Sequence, residues 1–109
     1  MEHAAQVKRL VEAKQQRYVE LANEIWSYAE MRYSEYRSAE LHAALLEEEG
    51  FRVTRGVAGL PTAFVAEAGS GGPLVGFLGE YDALAGLSQE SGALVCVPAA
   101  DGVNTNGHG

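Results

Sequence analysis

The chain has 109 residues, which suits one small domain or a piece of a larger one. Apolar residues make up 47% and charged residues 21%, a globular rather than a disordered composition. The net charge of −7 argues against nucleic acid as the main partner, because phosphate binding requires a basic face. No window approaches the roughly 20 apolar residues of a membrane span, and residues 1–16 lack the apolar stretch of a signal peptide.

A long amphipathic helix is predicted over residues 4–30. Apolar side chains recur there at intervals of three and four, with charged residues on the opposite face. Two large aromatic residues, Tyr18 and Trp26, belong to the apolar stripe, so we expect them to pack in the core or in a seam between helices.

A second helix is predicted over residues 35–49. Ser34 is placed to act as its N-cap, and Gly50 as the C′ residue that ends it. His42 lies mid-helix among neutral neighbours and is interpreted as a surface or boundary residue. Residues 47–49, three glutamates near the helix C-terminus, are interpreted as a solvated end with a small stability cost.

Three strands are predicted after Gly50. Residues 51–54 alternate between apolar and polar, which is typical of a half-exposed strand. Residues 62–68 form the second strand. Residues 74–78 are apolar without alternation, as in a strand buried on both faces. The order helix, helix, strand, strand, strand predicts an α/β architecture in which helices pack on a sheet.

The last quarter of the chain has weaker patterns. Residues 93–97 are predicted to form a short strand or a packed loop, and Cys96 within them a buried, inert thiol. A single cysteine allows no disulfide within the chain, which is consistent with a reducing, cytoplasmic location. Residues 98–109 form a long loop, and such loops are usually functional or disordered.

Two carboxylates, Glu80 and Asp82, follow the predicted strand at 74–78. Ligand sites in open α/β sheets collect at the carboxyl ends of strands. Residues i and i+2 of an extended backbone point the same way, so both acids are expected to face one cleft. Carboxylates placed there bind a divalent ion or orient an imidazole that does. The alternative is a pair of solvated loop acids.

His108 lies between two glycines at residues 106–109, Asn-Gly-His-Gly. An accessible imidazole on a flexible backbone suits a metal-site loop or a binding loop. It equally suits a disordered tail.

These segments together carry a family resemblance. The run at 76–89, which contains Glu-Tyr-Asp-Ala-Leu, resembles the aminoacylase/carboxypeptidase-like metal-dependent amidohydrolases. Residues 17–26, 38–40 and 50–55 follow the order and spacing of that family. The Asn-Gly-His-Gly segment resembles the lead-in to the Gly-His-Gly-Cys-Gly-His-Asn loop of one branch. The resemblance covers essentially the whole chain, but only the opening part of the family's longer sequence.

The resemblance implies hydrolysis of an amide that joins an acyl or aroyl group to an amino acid, or of a dipeptide-like substrate, at a two-metal centre of zinc or manganese. Asp82 matches an aspartate that orients a metal ligand. Glu80 matches a position that binds metal in some branches. His108 matches a loop histidine that precedes the ligands and need not coordinate metal itself. A homodimer or a paired subunit is expected for the complete protein.

The family's main metal ligands, its base glutamate and its dimerisation domain would follow Gly109. Residues 1–109 are therefore expected to be the N-terminal part of a metallopeptidase-like catalytic domain. Its fold would be a partial α/β/α sandwich, with two N-terminal helices packed on a mixed sheet, and it would be inactive alone. Two rival hypotheses stay open: a non-catalytic binding or interaction module, and a non-functional truncated fragment.

Overall fold

The computed structural model describes residues 2–100 and 105–109, so residues 101–104 of the predicted loop lie outside the described part. The elements are helices α1 (Glu2–Tyr28) and α2 (Tyr36–Glu48), strand β1 (Arg52–Arg55), a 3-10 turn (Val57–Gly59) and strand β2 (Phe64–Glu67). The strands pair antiparallel, with Arg52 opposite Glu67. Two helices packed on a sheet confirm the predicted α/β class, and the sheet described here is antiparallel throughout.

The core lies around α2. Ala39, Ala43 and Leu45 of α2 are buried, whereas Leu21 is the buried residue of α1. The 27 residues of α1 extend about 40 Å and the 13 residues of α2 only about 20 Å, so α2 covers one end of α1. The other end is exposed, and so is Tyr18, contrary to the prediction. In the described ranges no helix combines the length and apolar composition of a membrane span.

The C-terminal end of α2 is tied to its neighbours by ion pairs. Each glutamate at positions 47–49 meets a cation on another element, a contact that helix periodicity alone does not predict. The pairs are Lys14–Glu49, Arg17–Glu48 (Nη2 to Oε2, 3.3 Å) and Arg55–Glu47 (Nη1 to Oε1, 2.6 Å). These contacts hold α1 and β1 against the same end of α2.

The start of α2 differs from the prediction. Its N-cap is Glu35 rather than Ser34, and Glu35 makes no capping hydrogen bond with its side chain. The carboxylate of Glu30 caps the helix instead, because it accepts hydrogen bonds from the backbone N–H groups of Arg37 (3.1 Å) and Ser38 (2.8 Å). The Ser38 hydroxyl donates a third bond of 2.8 Å to it. The loop before α2 thus supplies its cap.

The predicted buried strand at 74–78 is wrong. Leu74, Phe77 and Leu78 are each more than 90% exposed, and no strand is assigned there. A strand needs a neighbour for its backbone hydrogen bonds, and in the described residues β1 and β2 pair only with each other. Residues 93–97 form neither the predicted strand nor a packed loop, because Leu94 and Val95 are exposed. Cys96 is also exposed, contrary to the prediction of a buried thiol.

Candidate functional site at an aromatic cleft

Backbone hydrogen bonds bring the predicted site segments together. The N–H of Ala83 donates to the carbonyl of Glu30 (2.8 Å). On the other side Leu84 and Gly107 exchange two bonds of 2.8 and 3.0 Å. Two further bonds, Ser88 N–H to Thr105 O (3.0 Å) and Gly109 N–H to Leu87 O (3.3 Å), continue the pairing. Residues 105–109 therefore lie along residues 84–88, which places His108 beside the end of α1.

A cleft of about 320 Å³ opens at this junction. Most of its wall is apolar or aromatic, and it includes two of the predicted site residues, Glu80 and His108. We call it the aromatic cleft. Its lining residues are Leu21, Ala22, Ile25, Trp26, His42, Gly79, Glu80, Tyr81 and His108.

His108 packs against Trp26. The ring centroids lie 5.4 Å apart with an interplanar angle of 35°. The indole is itself held, because its Nε1–H donates to the carbonyl oxygen of Gln89 (2.7 Å). The position of the imidazole thus depends both on the backbone pairing at Gly107 and on a fixed aromatic surface.

The Nε2 atom of His108 is buried and has no hydrogen-bond partner among the described residues. An unpartnered polar atom in a buried position costs free energy, so this nitrogen suits a ligand. The carboxylate of Glu80 lines the same cleft and is exposed. Imidazole nitrogen and carboxylate oxygen are both donors that zinc accepts.

These two donors do not complete a metal site. A catalytic zinc site has three protein ligands, and within residues 2–100 and 105–109 no three His, Cys, Asp or Glu side chains form a metal-binding group. Glu80 and His108 therefore fit at most part of a ligand set.

Asp82 is the predicted site residue that does not line the aromatic cleft. It is half-buried. It precedes Ala83, whose backbone is bonded to Glu30. The structure thus brings Glu80 and His108 to one cleft, whereas it does not bring Glu80 and Asp82 to it together.

The sequence analysis assigned neither His42 nor Tyr81 to the site, although it did interpret His42 as a surface or boundary residue, and His42 is half-buried. The His42 ring meets Tyr81 edge-on at 6.2 Å and Phe64 at 5.5 Å. Burial lowers the pKa of His42, so its ring is neutral at pH 7. Position 42 is four residues after the buried Ser38 and three before the buried Leu45. That helical spacing is the signal that would have placed His42 on the inner face.

The phenol of Tyr81 is anchored to the loop before β2. Its O–H donates to the carbonyl oxygen of Thr62, and its ring stacks on Phe64 with centroids 6.5 Å apart. Burial, followed by the charges of Glu35 and Glu30, raises the pKa of Tyr81. The phenol therefore remains a hydrogen-bond donor at neutral pH.

Tyr81→Phe is expected to lower the free energy of unfolding by about 1 kcal/mol, because it removes one partly buried hydrogen bond. Tyr36→Phe is the matched control, since Tyr36 is exposed and should change stability by no more than about 0.5 kcal/mol. Urea denaturation of the two variants measures the difference. Equal effects would show that the Tyr81 hydroxyl contributes nothing to stability.

Comparison with known proteins shows similarity to a curated protein over most of this chain. No protein-family model matches the chain, and no solved structure matches it. Over 99 residues, 91% of this chain, 48% of the positions are identical to those of a curated bacterial protein. The chain is similar to a p-aminobenzoyl-glutamate hydrolase subunit of Escherichia coli (strain K12). This match confirms the predicted resemblance to a hydrolase. The chain spans 20% of the length of that relative.

Proposed function

We propose that this chain forms part of the catalytic domain of a metal-dependent amidohydrolase, which cleaves the amide bond between an acyl or aroyl group and an amino acid. The observation that carries the proposal is 48% identity over 91% of the chain to a protein named as a p-aminobenzoyl-glutamate hydrolase subunit. Residues 1–109 would be the N-terminal part of that domain and inactive alone. The proposal is supported by the position of Glu80 and His108 in the lining of one cleft.

Each candidate residue then has a stated role. Glu80 and the Nε2 atom of His108 would contact a zinc or manganese ion, with further ligands from sequence outside residues 1–109. Such an ion, when bound, polarises the amide carbonyl and activates water. Trp26 would hold the His108 ring in place through their contact. Asp82, outside the cleft lining, would orient a ligand rather than bind the metal.

The proposal extends to assembly and location. The relative is named as one subunit of its hydrolase, and we propose that this chain acts within a homodimer or a paired subunit. The single cysteine, Cys96, is in keeping with a reducing compartment such as the cytoplasm.

A chimera tests the proposed function. Residues of this chain replace the matched segment of the Escherichia coli relative, and hydrolysis of p-aminobenzoyl-glutamate is measured. We expect activity that is lost on chelation and restored by zinc or manganese, and none from the 109-residue chain alone. In the chimera His108→Ala and Glu80→Gln should each lower kcat/KM by at least about tenfold. His3→Ala, at an exposed histidine of α1, is the control.

A chimera that folds but does not hydrolyse the amide would contradict the proposal and favour a binding module instead. Full activity in the His108→Ala and Glu80→Gln variants would remove these residues from the site while leaving the hydrolase assignment intact.

A further inference from the structure

The side chains that line the aromatic cleft indicate which kind of ligand it binds. We infer that it binds a neutral aromatic ring, and specifically the aroyl end of an aroyl amide rather than its amino-acid end. The inference rests on the function proposed above, because it divides that proposed substrate into two halves and assigns one of them to the cleft.

The walls of the cleft favour a ring. Four ring side chains line it, and the aliphatic Leu21 and Ile25 complete the apolar part of the wall. Two of the rings, Trp26 and His108, already contact each other in a tilted arrangement. Aromatic groups bind such surfaces through offset or edge-on contacts and through the removal of apolar area from water.

The charge of the cleft disfavours the amino-acid end. Among its described lining residues none is lysine or arginine, and the one carboxylate is Glu80. Several basic residues elsewhere, among them Lys14, Arg17 and Arg55, are engaged in ion pairs with glutamates. In the chain without a bound metal ion, a ligand carboxylate in the cleft would lose hydration, would gain no cationic partner and would be repelled by Glu80.

The volume of the cleft is sufficient for an aromatic ring. About 320 Å³ is at the lower end of the range of about 300 to 1,000 Å³ for small-molecule pockets. A single substituted ring fits that space. The amide would then lie towards the mouth of the cleft, and the amino-acid end would lie outside the cleft in the solvent, away from the carboxylate of Glu80.

Nuclear magnetic resonance of the 109-residue chain tests the inference without any catalysis. Trp26 is the single tryptophan, so one indole N–H signal reports on the cleft. Titration with p-aminobenzamide, a neutral aryl amide, should shift this signal to saturation. N-acetylglutamate should leave it unchanged, and p-aminobenzoate, an anion, should bind at least about tenfold more weakly than the amide.

Two pairs of variants sharpen the test. Ala22 is exposed and lines the cleft, so Ala22→Phe should fill it and raise the dissociation constant for p-aminobenzamide at least about tenfold. Ala13→Phe makes the same change at an exposed site of α1 outside the cleft and should leave binding unchanged. Glu80→Gln should reduce the ratio between the dissociation constants of p-aminobenzoate and p-aminobenzamide. Glu67→Gln, at an exposed position of β2, should leave this ratio unchanged.

Absence of an indole shift with p-aminobenzamide, or tighter binding of N-acetylglutamate, would overturn the inference. So would equal weakening by Ala22→Phe and Ala13→Phe. An inactive chimera together with a normal titration would remove the proposed function but leave a ring-binding cleft. An active chimera together with no binding of p-aminobenzamide would overturn the ring-binding inference but leave the proposed function in place.

Discussion

Gly107→Ala is expected to release residues 105–109 from the cleft. A Cβ atom at this position would lie 2.2 Å from the carbonyl oxygen of Leu87 and 2.7 Å from the Cα of Ser88. Both are backbone atoms, so no side-chain rotation removes the clash. The chain can relieve it only by moving the two segments apart.

That movement breaks the two hydrogen bonds between Leu84 and Gly107 and the contact of His108 with Trp26. We expect the free energy of unfolding to fall by about 1–3 kcal/mol, the usual cost of overpacking. Hydrogen exchange should show faster exchange of the Leu84 and Gly107 amides. In the chimera proposed above, hydrolysis should fall as well, because His108 leaves the cleft.

Gly76→Ala is the control for this prediction. A Cβ atom at Gly76 would meet no atom within 4 Å, and its φ does not lie in the left-handed region. The exchange rates at Leu84 and Gly107 should then match those of the unsubstituted chain. Unchanged exchange in Gly107→Ala itself would show that residues 105–109 are not paired with residues 84–88.

Local patterns predicted the elements that local interactions form. Both helices and strands β1 and β2 were predicted to within a few residues, because the apolar periods of 3.6 and 2 are set along the chain itself. Gly50 ends α2 as predicted, with a φ of +91° that favours glycine. The failure at residues 74–78 has a different origin. An apolar run shows what a strand would bury, but not whether a neighbouring strand exists to pair with it.

The site was predictable only where a short motif marks it. Glu80 and His108 were selected from the chemistry of their segments, and the structure places both in one cleft. The remaining aromatic wall depends on contacts between distant parts of the chain, such as the bond from Trp26 to Gln89 across 63 positions. Helix periodicity predicts that Trp26 is packed, but it does not identify the partner.

The loss of the Glu30 cap of α2 is expected to have the second large effect on stability. Local sequence patterns did not predict this cap. The usual cap is the residue directly before the helix, whereas Glu30 lies eight positions before Ser38. Its side chain is only 11% exposed and also pairs with Arg37 (3.6 Å). Glu30→Ala is expected to lower the free energy of unfolding by about 2–3 kcal/mol, because two backbone donors and a hydroxyl lose a charged acceptor.

The same carboxylate predicts a pH dependence. Burial raises the pKa of Glu30, but the hydrogen bonds from Ser38 and Arg37 and the charge of Arg37 lower it more, so the net pKa is below its ordinary value. That ordinary value is about 4.3. A carboxyl group whose pKa is lower in the folded state than in the unfolded state stabilises the folded state. This contribution is complete at pH values above the unfolded-state pKa. It is lost as the pH falls through the folded-state pKa.

The stability difference between the unsubstituted chain and Glu30→Gln should therefore be constant near pH 7 and shrink below about pH 4. Urea denaturation at a series of pH values measures it. Glu67→Gln, at an exposed position of β2, is the control and should change the free energy of unfolding at pH 7 by no more than about 0.5 kcal/mol. Arg55 also lowers the pKa of Glu47, but this pair is present in both chains and cancels in the difference. A Glu30→Gln difference that is as large at pH 3 as at pH 7 would mean that the ionised carboxylate is not what stabilises the start of α2.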